Sequence, residues 1–276
     1  MVSRKYDMSK KTTIITGAAG LLGYQHAIAI LESNSRVILT DLNFKKLINI
    51  KKLLQNKYNK NNIFIKKMDV TDEKEVKSTC DFYLRKGIKV NVLINNAAIN
   101  PKMLDQKGNY SSRLEFFSIK DWNREINVGL TGALICSKVF GYNMVKNKIK
   151  GVILNIASDL SVIAPDQRIY MKKGLLSSEQ PVKPVTYSVI KTGLVGLTKY
   201  IATYWAQHGI RANSLSPGGV FENQNKEFLE KVKQCIPVNR MANIDEYNAA
   251  IQFLCSDASS YMNGQNIVID GGRSVW

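Results

Sequence analysis

A short run of β-branched residues, Lys11-Thr-Thr-Ile-Ile-Thr16, leads directly into Gly17-Ala-Ala-Gly20-Leu-Leu-Gly23 and then an apolar helical pattern to about Glu32. This junction constrains the fold more than any other stretch. A strand that turns on glycine into a helix presents unpaired backbone N–H groups, at the positive end of the helix dipole, to an anion. One glycine permits the tight turn, a second lets the backbone approach phosphates, and a third packs the helix on the strand. The flanking elements are those that a dinucleotide pyrophosphate site requires.

The next strand, Arg36–Asp41, ends in an acid about twenty residues past the turn, where a carboxylate binds ribose hydroxyls. Asp41 favours NAD over NADP, because it would repel a 2′-phosphate and no arginine follows to accept one. A solvated loop acid is the plainer alternative. Helical and strand patterns then alternate. A lysine-rich amphipathic helix (Phe44 to Tyr58) precedes a strand (Ile63 to Met68), a helix start at Asp72 and Glu75, and a strand (Val90 to Asn95). A polar connection from Ile99 to Lys120 leads to a long helix opening at Trp122. A strand at Gly151–Ala157 follows, then a helix from Tyr187 to about His208 and a strand from Ile210. After Pro217-Gly218-Gly219-Val220 comes a segment expected to be mobile through Lys233, then a last helix (Ile244–Cys255) and a last strand (Asn266–Ile269). This alternation reads as an α/β fold with a parallel sheet. Asp69 is either an adenine-edge contact or an ordinary strand-end acid, and Asn96-Ala97-Ala98 sits at a strand's carboxyl end, where open sheets bind ligands.

The chemistry is concentrated between Ser158 and Lys191. Tyr187 and Lys191 are four apart, one helical turn from each other on one face. An ammonium so placed would stabilise phenolate and lower the tyrosine pKa from about 10 toward the working pH. The tyrosine could then act as general acid or base at an alcohol or carbonyl, with the Ser158 hydroxyl holding the substrate oxygen. Asn127, within the long helix, is either an exposed residue of low propensity or the holder of a water linking Lys191 to solvent. Residues 164–185 interrupt a connection that is otherwise short and are expected to form a lid-like insertion in a single catalytic domain spanning 1–276.

The net charge of +17 is spread along the chain without aromatic interleaving, which argues against nucleic acid. No apolar run approaches the roughly 18 residues of a membrane span, and no signal peptide is legible. Cys80, Cys136, Cys235 and Cys255 lie far apart without metal-ligand spacing, as free thiols in a reducing cytoplasm would.

Together these residues resemble the short-chain dehydrogenase/reductase family over essentially the full length. The glycine turn, Asn95-Asn96-Ala97-Ala98, Asn127, Ser158, Tyr187 with Lys191, Pro217-Gly218 and Asp270-Gly271-Gly272 occur in family order. The resemblance implies a three-layer Rossmann fold with a seven-stranded parallel sheet, a nicotinamide cofactor and a catalytic set of Ser158, Tyr187, Lys191 and Asn127. It implies cofactor contacts from Gly17, Ala19, Gly20, Leu21, Leu22 and Gly23, from Asp41 with Leu42, and from Asp69 with Val70. Further contacts would come from Asn96, Ala97, Ala98, Ile156, Tyr187 and Lys191, with Pro217, Gly218, Gly219 and Val220 closing on the nicotinamide. It also implies a homodimer or homotetramer built on the helices bearing Asn127 and Tyr187.

Three departures stand out. The glycine spacing is more usual in the branch acting on nucleotide sugars, Ser158 and Tyr187 are unusually far apart, and the threonine often found after the Pro-Gly turn is missing from Gly219-Val-Phe-Glu-Asn223. The segments around the insertion and the C-terminus are similar to a narrower subgroup of oxidoreductases, flagellin modification protein A. That similarity implies a sugar substrate, such as a phosphorylated amino sugar or a nucleotide sugar of sialic-acid-like biosynthesis. Lys102, Arg113 and Arg168, with Lys172 and Lys173, are candidates to bind a substrate phosphate; solvated loop charges are the alternative. A sugar-nucleotide epimerase or dehydratase that reduces NAD transiently, and a nucleotide sensor without chemistry, are the competing functions.

Overall fold

A computed structural model describes residues 4–99 and 112–276. The first half alternates β1 (Thr12–Thr16), α1 (Leu21–Glu32), β2 (Arg36–Asp41), α2 (Phe44–Gln55), β3 (Ile63–Lys67), α3 (Glu73–Arg85) and β4 (Val92–Asn95). The second half contains α4 (Ile119–Ile126), α5 (Gly132–Lys146), β5 (Val152–Ile156), α6 (Val185–Tyr204), β6 (Arg211–Pro217), α7 (Lys226–Lys233), α8 (Asn248–Cys255) and β7 (Asn266–Ile269).

All seven strands run parallel in the order β3-β2-β1-β4-β5-β6-β7. The order reverses between β1 and β4, so the crevice at the carboxyl ends of these strands is the topological switch point where such sheets bind ligands. Successive side chains of one strand point to opposite faces. Ile15 accordingly packs with Ile30, Leu47, Tyr247 and Ile251 on one side of the sheet, while Ile14 packs with Val76, Phe140 and Ile201 on the other. Both faces are covered, which is why β1, β4 and β5 are buried along their whole length.

Two expectations are corrected, and a third point concerns helix length. The stretch expected to be mobile after Pro217 contains α7, capped by the Asn225 side chain accepting from Phe228 N at 2.9 Å. The apolar side of α7 is covered: Val232 is buried with Ile169, and Phe228 stacks on Tyr170 at 5.8 Å. The helix expected from Trp122 begins at Ile119, after a Ser118 cap, and is interrupted by a π turn over Asn127–Thr131. Finally, the continuous helix Ile119–Lys146 reaches a mean hydropathy of 1.2 in one window and is long enough to cross a bilayer. Its apolar side, however, is used against the sheet through Cys136, Phe140 and Met144, all fully buried.

Candidate active site

The glycine turn is built against the end of β4. Gly17 has φ +61°, and a Cβ there would stand 2.7 Å from Ala97 Cα. A Cβ on Gly23 would stand 2.4 Å from Gly17 O, so α1 can approach the turn only without a side chain. Asn96 clamps the junction by donating its side-chain amide to Thr16 O at 3.1 Å and Gly17 O at 3.0 Å. The Thr16 hydroxyl accepts from the backbone of Asn96 at 3.0 Å and Ala97 at 3.1 Å, a role not foreseen from the sequence. Gly20 caps α1 without a side-chain hydrogen bond, and the first turn carries no acid. The N–H groups over Leu21 and Leu22 therefore face the crevice without a competing anion.

Asp41 ends β2 beside this turn. Its carboxylate accepts from Ala19 N at 3.0 Å and from Asn43 N at 2.9 Å, which leaves further lone pairs for a ribose. Leu42 is 56% exposed at the crevice rim. Asp69 is engaged with its own turn, accepting from Thr71 N at 2.8 Å and Thr71 Oγ1 at 2.7 Å, while Val70 is buried against Gly132. Ala98 follows Ala97 at the end of β4. Below it, Asn95 donates to Asn155 Oδ1 at 2.8 Å and Asn155 to Thr198 Oγ1 at 2.8 Å, tying β4 and β5 to α6.

Strand β5 delivers Ser158, and the first turn of α6 brings Tyr187 to it. Ser158 is buried beside the Tyr187 phenol. Its hydroxyl donates to Asp159 Oδ1 at 2.7 Å. Lys191, also buried, donates to Ile156 O at 2.8 Å, with its ammonium 5.7 Å from the Tyr187 ring centroid. Burial, with repulsion from Lys183, lowers the Lys191 pKa to about 8. Tyr187 departs from expectation: burial pushes its pKa up, the Ser158 hydrogen bond opposes this, and Asp159 adds to it. The expected lowering by Lys191 is absent; its ammonium donates to the Ile156 carbonyl.

Asn127 is exposed and opens the π turn, and its carbonyl accepts from Gly132 five residues on. One residue pair escaped the sequence reading: Glu125, buried at the end of α4, accepts a short hydrogen bond from the Thr186 hydroxyl and so ties the turn before Asn127 to the residue before Tyr187. A buried carboxylate beside a threonine that precedes the tyrosine leaves no local pattern to find. His26 is no alternative base, since burial holds its pKa at about 3.

At the far wall, Gly218 N donates to Ile269 O at 2.8 Å and Gly219 O accepts from Ala242 N at 3.0 Å, while Val220 bridges to Ala242. These contacts fix the backbone after Pro217 against the carboxyl end of β7. The basic loop residues are mostly used within the chain. Arg168, with its side chain 85% exposed, pairs with Asp166 at 2.8 Å. Arg113 pairs with Glu115 at 2.7 Å and donates to Ser177 O at 3.0 Å, joining two loops. Neither is presented to the Ser158–Tyr187 site as an unpaired cation. Lys102 lies outside the described residues.

A family model described as Enoyl-(Acyl carrier protein) reductase matches residues 17–274. The chain belongs to the short-chain dehydrogenase/reductase family. It is 32% identical to a 3-oxoacyl-[acyl-carrier-protein] reductase FabG of Buchnera aphidicola, over 96% of this chain and 97% of that protein. It is 28% identical to post-translational flagellin modification protein A of Campylobacter coli, covering 96% and 98%. It is 27% identical to D-threitol dehydrogenase of Mycolicibacterium smegmatis, covering 98% and 95%. A short-chain dehydrogenase from Leptospira borgpetersenii with bound NAD+ superposes with a TM-score of 0.82 at 29% identity, covering 100% of this chain and 98% of that one. A gluconate 5-dehydrogenase from Burkholderia cenocepacia, in complex with NADP and tartrate, shares the fold with a TM-score of 0.84 at 23% identity, covering 99% and 98%. As a family member the protein is an NAD(P)-dependent oxidoreductase acting on CH–OH groups of small molecules.

Proposed function

We propose that the protein is an NAD-dependent dehydrogenase moving hydride to or from a hydroxyl or carbonyl of a sugar. The observation that carries this reading is the meeting of Ser158, Tyr187 and Lys191 beside an uncapped, glycine-lined helix N-terminus. The cradle fits a dinucleotide: glycine at 17 and 23 lets the turn close against Ala97 and α1 approach it, and the first turn of α1 carries no acid of its own. Asp41 would bind the adenosine ribose and repel a 2′-phosphate, which favours NAD. When bound, the nicotinamide supplies the hydride acceptor or donor.

The chain's own residues handle one proton. Tyr187 would take it from the substrate hydroxyl during oxidation, and Ser158 would orient the same oxygen by turning its hydroxyl hydrogen to it from Asp159. Lys191 would hold the ribose, and Asn127 would hold a water leading toward solvent. Residues 164–185 would act as a lid of a single catalytic domain; Ile169 already seats them on α7. A homodimer or homotetramer in the cytoplasm completes the reading, with a sugar of flagellin-type glycan synthesis as substrate on the likeness to flagellin modification protein A.

The FabG relatives favour a second reading, reduction of a 3-oxoacyl group. The charged groups Asp159, Lys183 and Arg273 near Ser158 and Tyr187 suit a polar substrate better than an acyl chain. Calorimetry with NAD and NADP, followed by a screen of sugars and a 3-oxoacyl thioester for nicotinamide turnover, tests both. NAD binding about tenfold tighter with sugar oxidation supports the proposal; NADP preference with thioester reduction overturns it.

A further inference from the structure

Asp159 follows Ser158 and is buried, and Arg273 reaches it from the C-terminal segment at 2.8 Å, with side chains 5% and 10% exposed. The approach is built in. The Asp270 carboxylate accepts from Gly272 N at 2.9 Å and Ser274 N at 2.8 Å, bracketing Arg273 on both sides. One carboxylate oxygen holds the Ser158 hydroxyl and the other the guanidinium, so this pair is internally balanced.

Lys183 is a further positive charge in the same place. Its backbone N–H is fixed on Gln167 Oε1 at 2.8 Å, and its ammonium lies 3.9 Å from the centroid of the Tyr187 ring. Among the described residues it forms no ion pair; Asp159 attracts it and Arg273 repels it, while burial lowers its pKa. A cation over an aromatic face is drawn to the ring's negative face. An ammonium held over the reacting phenol without a carboxylate of its own leaves its donors to a ligand that brings the acceptor.

We infer that Lys183, with Arg273 behind it, forms a subsite for an anionic group of the substrate, a carboxylate or a phosphate carried close to the reacting carbinol. This rests on Ser158 and Tyr187 being the reacting site. Arg273 is held by Asp159 and positions the subsite; Lys183 is the group that touches the anion. Lys183 was passed over in the sequence because it lies between two prolines, with nothing to show that α6 would bring Tyr187 beneath it.

The test is calorimetry on the NAD-loaded protein with three probes sharing one carbon skeleton: D-glucitol, D-gluconate and D-glucitol 6-phosphate. The expected result is that one or both anionic probes bind about tenfold or more tighter than glucitol. Lys183→Met should bring that ratio to within about threefold of unity while NAD affinity, the check on folding, is unchanged. Lys183→Gln should behave as Lys183→Met does. Preference for gluconate assigns a carboxylate, and preference for glucitol 6-phosphate a phosphate. Equal binding of all three by the parent protein, or an anion preference that survives both substitutions, overturns the inference. Because binding is read without turnover, anion binding without nicotinamide reduction would count against the proposed reaction and leave the subsite standing.

Discussion

Tyr187 lies near two ammonium groups, Lys183 at 3.9 Å and Lys191 at 5.7 Å from its ring centroid, yet burial and Asp159 push its pKa up. Replacing Tyr187 by Phe should lower kcat/KM by about a thousandfold or more with NAD affinity unchanged, measured by steady-state kinetics beside calorimetry. Lys191 carries three donors and has one acceptor, Ile156 O. A lysine whose pKa falls from 10.5 to about 8 on folding binds its proton less well in the folded state. Below pH about 8 both states are protonated and the penalty is complete; as pH rises toward 10.5 the unfolded state holds more protons, and stability recovers. Lys191→Met should therefore be inactive but more stable by about 2 kcal/mol at pH 7, with the gain shrinking above pH 8, as urea unfolding across that range would read.

At the scale of elements, the turn between β1 and α1 depends on two small features. A methyl group at Gly17 meets Ala97 at 2.7 Å with φ at +61°, so Gly17→Ala should cost about 2 kcal/mol or more and weaken NAD binding. Thr16→Val removes the acceptor of two backbone N–H groups and should cost about 1–3 kcal/mol in denaturant unfolding. The turn itself was legible because glycine spacing, a preceding strand and a following helix all carry local signals. The Thr16 clamp was not, since it depends on β4 lying beside β1, a contact 80 residues distant. The same holds for α7. Phe228, Leu229 and Val232 make a weak local stripe, and it becomes a buried face only when Ile169 and Tyr170 arrive from the long connection before α6. Arg113 and Arg168 were nominated from their place in loops, but neighbouring carboxylates and carbonyls claim them.

For the molecule as a whole, the outer faces of α5 and α6 expose Leu134, Tyr142, Tyr200 and Tyr204, at 50%, 63%, 63% and 59%. Tyr200 and Tyr204 stack at 5.5 Å, giving a flat aromatic surface of the kind enriched in interfaces. Sedimentation should find a dimer or tetramer, and Tyr142→Asp with Tyr200→Asp should shift it toward monomer. The seven-stranded parallel sheet was legible from the family resemblance, and the resemblance also pointed to the Ser158, Tyr187 and Lys191 set despite the long intervening segment. What the segment does with its charges, Lys183 above all, needed the packed structure. The most direct measurement is nicotinamide reduction by a panel of polyols, aldonates and sugar phosphates, run in parallel on the parent protein and Tyr187→Phe. The account predicts that at least one sugar reduces NAD and that Tyr187→Phe abolishes this while binding NAD normally. Turnover by Tyr187→Phe at the parent's rate would contradict it.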